Sequence, residues 1–565
     1  MSRGSVGLLA LLALSFACGG GTEAGRRRGA STTGAGGGSS GSGSGGFGAT
    51  ASGGAATGGA GTSEPAQLTT DCAEPALGSP NLRLLTRGEL VNTLSDVFPE
   101  LAGQWSDSLP ASALSNLGFD NNASTTAGVQ LADGILQTAQ AVAAAVVAAL
   151  PTFLPCSTTA PDRACAEQFV TTYGRRLFRR VPTAEERERY LAFFDSALGR
   201  FGFEPAMKWV TVGLIQSPNA VYRREIGTDA GDGTRRLSEL ELATALAYTY
   251  TGSTPSDELL TTAESGALGD PVVLAEGLLG TERGNQALQR FFEGYVGFSN
   301  AAAIQRPNIP EFSNVSADMV QETRAFIDQV VFQGGGGVTE LLTAPSTNPS
   351  QALAAYYGLA TPAADYAPVA RSNGVGILAQ GSFLATHANA DASSPTKRGL
   401  FPFLRLLCQV KPEPPPNVPQ ISAPEPGVRT TRQRYEEVHG QIGSPCATCH
   451  RAFDPIGFAF EHFDEGGRYR ADENGLPIDA AAAVTDLDGN VLFSFDGQED
   501  FVTKLSEIPL VHQCFSAYMA AYAFGSAEAC LGSNNVAELE AGAIGIARAF
   551  AELAEAPHFS RRTAE

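Results

Sequence analysis

Residues 183–197 read Thr-Ala-Glu-Glu-Arg-Glu-Arg-Tyr-Leu-Ala-Phe-Phe-Asp-Ser-Ala, a stretch that favours a capped helix. Thr183 and Glu186 have the spacing of a capping box, in which each side chain bonds a free backbone N–H of the first turn. Apolar side chains then recur at helical spacing, at Tyr190, Phe193, Phe194 and Ala197. The stretch therefore predicts an amphipathic helix.

Other stretches repeat this helical pattern. Capping boxes at Thr86 with Glu89 and at Ser238 with Glu241 precede apolar stripes, at Leu90, Leu94 and Val97 and at Leu242, Leu246 and Tyr250. Residues 128–150 predict a helix buried on most faces, and residues 509–524 predict a last helix that stops at Gly525. Strand patterns are sparse. The best is a hairpin over 484–496, with Asp488-Gly489 as its turn. We predict a mainly α fold: a multidomain helical body with one short β-hairpin.

The N-terminus has the features of an export signal. Arg3 precedes an apolar run at 7–17, which is too short to span a bilayer. Cys18 follows Ala17 directly, as in the lipobox of bacterial lipoproteins, so we expect cleavage before Cys18 and a lipid on its thiol. The alternative is an ordinary secretory signal with an incidental cysteine. Residues 19–70 are nearly all Gly, Ser, Ala and Thr, and we expect a disordered tether.

The charge balance limits the choice of partners. The formal net charge of the chain is −21 at pH 7, and its basic residues are dispersed. Because an acidic body repels phosphate backbones, nucleic acid is not an expected partner. We expect a location in the cell envelope, membrane attachment through the N-terminal lipid, and an unknown redox partner, for which a basic surface would suit the acidic body.

Nine cysteines suggest a disulfide framework in an exported chain. Setting aside Cys18 and the Cys446/Cys449 pair leaves six, which allow 15 connectivities. Short loops favour Cys156–Cys165 and Cys514–Cys530, which leaves Cys72 with Cys408. Free buried thiols are the alternative.

Cys446-Ala447-Thr448-Cys449-His450 carries the chemistry of this sequence. Covalent haem c needs two thiols, separated by two residues, that add to the two vinyl groups of one porphyrin. It also needs an adjacent histidine as axial ligand to the iron. The alternatives are a thioredoxin-like pair, which lacks its βαβ context, a zinc site, which lacks a second ligand pair, and a plain disulfide.

The sixth iron ligand is open at the level of sequence. Met519 is the first candidate, because it shares a helix face with His512, Phe515 and Tyr522. A methionine on a helix is more often part of the core. The rival ligands are His462, His387 and His439. An open sixth position would allow peroxide or oxygen chemistry instead.

Several further segments resemble one family. The domain of unknown function 1595 is resembled by Gly174–Arg180 and Ser217–Arg223, and 1592 by Leu237–Tyr250, Ser394–Gly399 and Pro414–Val418. Domain 1588 is resembled by Cys446–His450, Asp454–Phe458 and Glu461–Arg470, and 1585 by Tyr522–Gly525. These four domains occur in series in large exported cytochrome-like proteins of environmental bacteria. The chain departs from the family pattern at Phe453, His462 and Ser526, where methionine, asparagine and arginine are usual. The resemblance implies a cytochrome-like haem segment and leaves the reaction open.

Together these patterns predict an envelope lipoprotein that transfers single electrons through one haem c. Asp454, Glu461, Asp464 and Arg470 are expected to be structural or to orient the loop after the haem. Two alternatives remain: a binding or scaffold protein with a Cys446–Cys449 disulfide, and a haem peroxidase.

The predicted organisation has eight segments. They are a signal peptide (1–18), the tether (19–70), an N-terminal helical segment (71–155), a 1595-like segment (156–230), a 1592-like domain (231–411), a proline-rich linker (412–424), a small haem c-like module (425–496) and a 1585-like helical segment (497–565).

Overall fold

Capped helices dominate the part of the chain that a computed structural model describes, which is residues 68, 77–121, 123–410, 429–440, 445–485, 490–526 and 544–564. Residues 63–565 form one compact unit. Cys18, the predicted tether and the proline-rich linker lie outside the described residues.

The α-helices, in chain order, are α1 Arg87–Val97, α2 Val129–Ala148, α3 Leu150–Phe153, α4 Cys156–Thr159, α5 Arg163–Phe178, α6 Ala184–Phe201, α7 Phe203–Ile215, α8 Pro218–Val221, α9 Glu239–Thr251, α10 Asp257–Glu264, α11 Pro271–Leu279, α12 Glu282–Val296, α13 Ser316–Ile327, α14 Val338–Thr343, α15 Gln351–Tyr357, α16 Gly381–Thr386, α17 Pro395–Phe401, α18 Thr431–His439, α19 Pro445–Phe458, α20 Gly497–Ser506, α21 Pro509–Phe524, α22 Ile546–Glu552 and α23 Pro557–Ser560. Short 3-10 turns lie at Pro99–Leu101, Phe298–Ala303, Pro310–Asn314, Ile377–Ala379 and Leu553–Glu555, and π-helical turns at Asp328–Gln333 and Pro402–Leu406.

The predicted helix starts are confirmed. Reciprocal capping boxes join Thr86 with Glu89, Thr183 with Glu186 and Ser238 with Glu241. The apolar face of α6 differs from the prediction: Leu191, Phe194 and Ala197 are buried, whereas Phe193 is largely exposed. The last predicted helix is α21, and it ends on Gly525 in the left-handed conformation.

Helix α2 is buried on one face, not on most faces as predicted. Its buried side chains recur three or four residues apart and include Ile135, Ala139, Val142 and Val146. That face packs against α7. By length and composition α2 could cross a membrane, but a core helix of a soluble protein passes the same test. Its packing against α7 is the reason that we assign α2 to the core.

The strands form short antiparallel sheets rather than the single hairpin that was predicted. They are β1 Asn81–Leu84, β2 Tyr222–Glu225, β3 Thr228–Asp229, β4 Thr234–Arg236, β5 Ser346–Thr347, β6 Val369–Ala370, β7 Asp472–Glu473, β8 Leu476–Pro477, β9 Ala481–Thr485, β10 Val491–Asp496 and β11 Arg561–Thr563. The sheets have the orders β1-β2, β11-β4-β3, β5-β6, β7-β8 and β9-β10. The predicted hairpin corresponds to β9 and β10, and its turn lies outside the described residues.

Three apolar clusters make the interior. One is built from residues between Leu84 and Tyr248, and a small one surrounds Phe312. The largest joins helices α9–α12 to α17, α19 and α21. Helix α19, within the predicted module 425–496, therefore shares its core with the central helices.

The disulfide pattern confirms one predicted pair and corrects another. Cys156 is bonded to Cys165, as expected from the short loop. Cys514 is bonded to Cys408, 106 residues away, and not to Cys530. Choosing the cysteines that close the shortest loop gave the wrong pair here, because α21 packs on the turn Pro402–Leu406 and brings the distant thiols together. Cys72 and Cys530 lie outside the described residues.

Candidate functional site

Helix α19 carries the motif that the sequence singled out. It begins at Pro445, which suits the first helical position because proline has no N–H to leave unpaired. Cys446, Cys449 and His450 are related by three and four residues, so they share one face of the helix. The three side chains that the motif predicts to act together therefore lie on the same face of α19.

Both thiols of the motif are free and half-buried. The structure thus has no disulfide between Cys446 and Cys449, which was the alternative raised by the sequence. Cys449 packs at the edge of the largest core, so the thiol pair lies where apolar interior meets the surface.

The imidazole of His450 is oriented by a carboxylate. Its Nδ1 lies 3.1 Å from Oδ2 of Asp454, one turn later on α19, and 3.4 Å from the hydroxyl of Thr396. Its Nε2 has no hydrogen-bond partner within the described ranges. A histidine held at Nδ1 by a carboxylate offers Nε2 to a metal, and the carboxylate raises its basicity. This donor set fits an axial histidine beside two thiols that can be alkylated.

Asp454 is the centre of a buried polar group. Its Oδ2 lies 2.6 Å from Nδ1 of His439, and Thr396 donates a hydrogen bond of 2.6 Å to its Oδ1. Burial disfavours the charged carboxylate, but hydrogen bonds from His439, His450 and Thr396 outweigh it, so the pKa of Asp454 is below its ordinary value. The carboxylate is therefore ionised and holds both imidazoles.

His439 is the rival ligand that the structure brings to the motif. Its ring centroid lies 3.6 Å from that of His450. Imidazoles on opposite faces of a porphyrin cannot be this close, because the iron and both of its bonds to nitrogen separate them. In this arrangement His439 supports Asp454 rather than serving as the second axial ligand.

The same three side chains could hold a metal ion without haem. Ligand atoms of His439, His450 and Asp454 all lie within 4.8 Å of one another. Two imidazoles and a carboxylate with open positions suit divalent transition metals such as iron or zinc. In that arrangement both imidazoles would bind through Nδ1, whereas haem would use Nε2 of His450.

A close crossing of α17 and α19 positions this group. A Cβ on Gly399 would lie 1.9 Å from the carbonyl oxygen of Phe453, and a Cβ on Gly457 would lie 1.9 Å from that of Pro395. The two glycines therefore let the helices touch at the backbone. This contact holds Thr396 of α17 against Asp454 of α19.

Arg398 anchors the loop that follows α19, a role that the sequence did not reveal. Its guanidinium is fully buried and donates to the carbonyls of Phe460, Phe463, Leu384 and Asp464. Burial lowers the pKa of Arg398 to about 10. The six-residue segment Ser394–Gly399 thus supplies both Thr396 to the site and Arg398 to the loop.

The other polar residues expected to support the site organise this loop. Asp464 accepts from the backbone of Gly466 and Arg468. Glu461 is buried near Arg470, at 3.4 Å, and burial raises its pKa. Four residues were predicted to be structural or to orient the loop: Asp454, Glu461, Asp464 and Arg470. Among the hydrogen bonds of the described residues, only those of Asp454 reach the motif histidine, His450.

The remaining ligand candidates make local contacts. Met519 is buried in the largest core. His462 bonds the carbonyl of Arg470 through Nδ1, and His387 bonds that of Phe383, where burial lowers its pKa to about 4. Among the described residues, the hydrogen-bond and ring contacts of His450 are with Thr396, His439, Phe453 and Asp454.

Comparison with protein families gives four matches in series, each described as a protein of unknown function. They are PSD3 (DUF1587) at 83–148, PSD5 (DUF1595) at 165–225, PSD4 (DUF1592) at 237–359 and PSCyt3 (DUF1588) at 374–473. No curated protein and no solved structure matches the chain.

These matches confirm the resemblance in types 1595, 1592 and 1588 and correct its details. The 1587 match was not predicted. Ser394–Gly399 and Pro414–Val418, attributed to the 1592 type, fall in the 1588 match, which also contains the Cys446–His450 motif. The resemblance of Tyr522–Gly525 to the 1585 type stays a prediction. The chain belongs to the proteins that carry domains of unknown function in series, here in the order 1587, 1595, 1592 and 1588.

Proposed function

We propose that this protein transfers single electrons at the cell envelope through one covalent haem c. The observation that carries the proposal is the arrangement on α19: two free thiols and a histidine on one helix face, with Nδ1 of the histidine already bound by a buried carboxylate. The 1588-type match spans this site, and the short name of that family, PSCyt3, agrees with a cytochrome-like segment.

Each residue has a distinct part in the proposed site. Cys446 and Cys449 form the thioether bonds, and His450 binds the iron through Nε2. Asp454 keeps the imidazole in one tautomer and one orientation. Thr396 and His439 hold the carboxylate in place. The haem supplies reversible one-electron redox chemistry.

The location in the proposal follows from the N-terminal sequence. A lipid on Cys18 would attach the chain to a membrane, and residues 19–70 would tether the helical body. The net charge of −21 favours a basic redox partner. Mass spectrometry of the mature N-terminus tests the anchor. An unmodified Cys18 or cleavage at another residue would remove it from the proposal.

Met519 stays the proposed sixth ligand. Its Ala variant should lose the methionine–iron charge-transfer band and have a lower potential, since a thioether ligand raises the potential. An unchanged spectrum would favour an open sixth position. Turnover of hydrogen peroxide by the loaded protein would then support the peroxidase alternative.

A reduced-minus-oxidised absorption spectrum tests the proposed function. The full chain should be made in a host with haem c maturation machinery, next to His450→Ala and His462→Ala. We expect the sharp reduced bands of a c-type haem in the wild type and in His462→Ala, and their loss in His450→Ala.

Two results of this experiment would contradict the proposal. Protein without haem but with a stoichiometric transition metal would assign His439, His450 and Asp454 to a metal site. Protein without either would favour a binding or scaffold protein.

A further inference from the structure

A cavity of about 570 Å³ lies far along the chain from the motif. Its wall is formed by residues around the strand pair β1–β2, by the end of α21 and by β11. Gly525 ends α21 there in the left-handed conformation, and a Cβ at this position would lie 2.4 Å from Nη2 of Arg83. The volume is within the range of small-molecule sites in proteins.

Three buried arginines share one carboxylate in this wall. Arg83, Arg223 and Arg562 are each at least 95% buried. The carboxylate is Glu225, whose two oxygens lie 3.0 Å from Nε of Arg223 and 2.8 Å from Nη2 of Arg562. The wall therefore has more buried cationic groups than anionic ones.

The strand register places two of these arginines against each other. Arg83 and Arg223 lie directly opposite each other in the β1–β2 pair. Like charges in cross-strand positions destabilise a sheet, and burial increases their repulsion. Burial and then Arg223 lower the pKa of Arg83 to about 10. This arrangement is unfavourable unless something outside the pair compensates it.

Neighbouring charges compensate it in part. Glu89, Asp120 and Arg290 line a small second pocket together with Arg83 and Arg223. With these included, four guanidinium groups face three carboxylates, so one positive charge stays in excess. A monoanion would balance it.

Two donors of Arg223 have no hydrogen bond. Its Nε and Nη1 are both buried and without a hydrogen-bond partner in the part of the chain that the structure describes, although Nε lies 3.0 Å from Oε1 of Glu225. A buried donor without a partner costs about 1–3 kcal/mol. By contrast, Arg83 donates to the carbonyls of Phe524 and Asn121, at 3.1 and 2.9 Å.

The wall also has apolar side chains, which alternate with Ser, Asn and Thr side chains. Leu77, Leu117, Phe119, Phe524 and Phe559 line the cavity. An inorganic anion would leave this surface without a partner, whereas an organic anion would cover it and gain about 25 cal/mol for each Å² removed from water.

From these observations we infer that the cavity binds an organic monocarboxylate. The carboxylate is held by the excess positive charge of Arg83, Arg223 and Arg562 in the wall, and the apolar body of the ligand lies against Phe119 and Phe524. This site shares no residue with the proposed haem site, although α21 carries Met519 and also ends in the cavity wall.

Thermal unfolding and calorimetric titration with 3-phenylpropionate test the inference on the full chain. The amide of the same acid and inorganic phosphate are the reference probes. Arg223→Met removes one of the three buried guanidinium groups of the wall. Arg224→Met is the matched control, because Arg224 is the next residue on β2, largely exposed and paired with Glu241.

We expect 3-phenylpropionate to raise the unfolding temperature and to bind at least tenfold more tightly than its amide or phosphate. Arg223→Met should lose this binding at least tenfold, and Arg224→Met should keep it. If Arg223→Met does not fold, Leu114→Trp at the exposed edge of the cavity should block binding instead.

Four results would overturn the inference, three of them in the comparison of probes and variants. They are equal binding of acid and amide, stronger binding of phosphate than of the acid, and wild-type affinity in Arg223→Met or in Leu114→Trp. Failure of 3-phenylpropionate to bind the wild type at millimolar concentration would overturn it as well.

Discussion

His450 and Asp454 lie one helical turn apart on α19, with Nδ1 of the imidazole 3.1 Å from Oδ2 of the carboxylate. A carboxylate at this nitrogen makes an axial histidine a stronger electron donor, which favours the oxidised metal. We predict that Asp454→Asn raises the midpoint potential of the loaded protein, measured by redox titration. His462→Ala, whose ring bonds the carbonyl of Arg470, should leave the potential unchanged. An unchanged potential in Asp454→Asn would mean that the carboxylate does not act on the metal.

The crossing of α17 and α19 should not tolerate a single methyl group. Alanine at Gly399 would place its Cβ 1.9 Å from the carbonyl oxygen of Phe453, so the helices must separate. We expect Gly399→Ala to lower the free energy of unfolding by about 3 kcal/mol or more, measured by urea titration. Gly199→Ala is the control. It lies in α6 with open space around it, and it should stabilise by about 0.5–1 kcal/mol. Equal effects would refute the close crossing.

The Cys408–Cys514 disulfide should stabilise the fold more than Cys156–Cys165 does. The first joins residues 106 apart and the second residues 9 apart. Loop-closure entropy gives about 4–5 kcal/mol for the longer loop and about 3 kcal/mol for the shorter one. The double Ser variants of each pair, compared by denaturant unfolding, check this order. Non-reducing peptide mapping checks the pairing itself, and a Cys514–Cys530 peptide would contradict it.

Glu225 should make the free energy of unfolding depend on pH. Burial opposes its ionisation, but Arg223, Arg83 and Arg562 outweigh burial and lower its pKa to about 2. Because the folded pKa is below the unfolded value of about 4.3, the stabilisation is present above pH 4.3 and is lost as the pH falls toward 2.

The expected loss from Glu225 between pH 5 and pH 2.5 is about 2 kcal/mol, measured as the difference in the free energy of unfolding at the two pH values. Glu225→Gln should be less stable at pH 5 and should lose less on acidification. An identical pH dependence in the variant would show that Glu225 is not the group responsible.

Local sequence predicted local structure well. The boxes at Thr86, Thr183 and Ser238 cap helices, because their partners lie three residues away and need no tertiary information. The thiols and histidine of α19 share a face for the same reason.

Contacts between residues that are far apart in the sequence could not be predicted. His439 of one helix contacts Asp454 of another, and Arg83 lies opposite Arg223, which is 140 positions later in the chain. The bond of Cys514 to Cys408 follows from helix packing, which loop length does not encode. One local clue was available for the helix crossing. Gly399 and Gly457 both lie in helices, where glycine costs about 1 kcal/mol relative to alanine, so each was a candidate for a close contact that a side chain would block.

The intact mass of the denatured protein tests the central claim most directly. The full chain is made in a host with haem c maturation machinery, unfolded in acid and extracted with organic solvent before mass spectrometry. Thioether bonds survive this treatment, whereas coordination to His450 does not. We predict the mass of the processed chain plus one haem, at most a single thioether in Cys449→Ser, and a haem-bearing peptide that contains both Cys446 and Cys449. A wild-type chain without added haem, with both thiols free to react with iodoacetamide, would contradict the account.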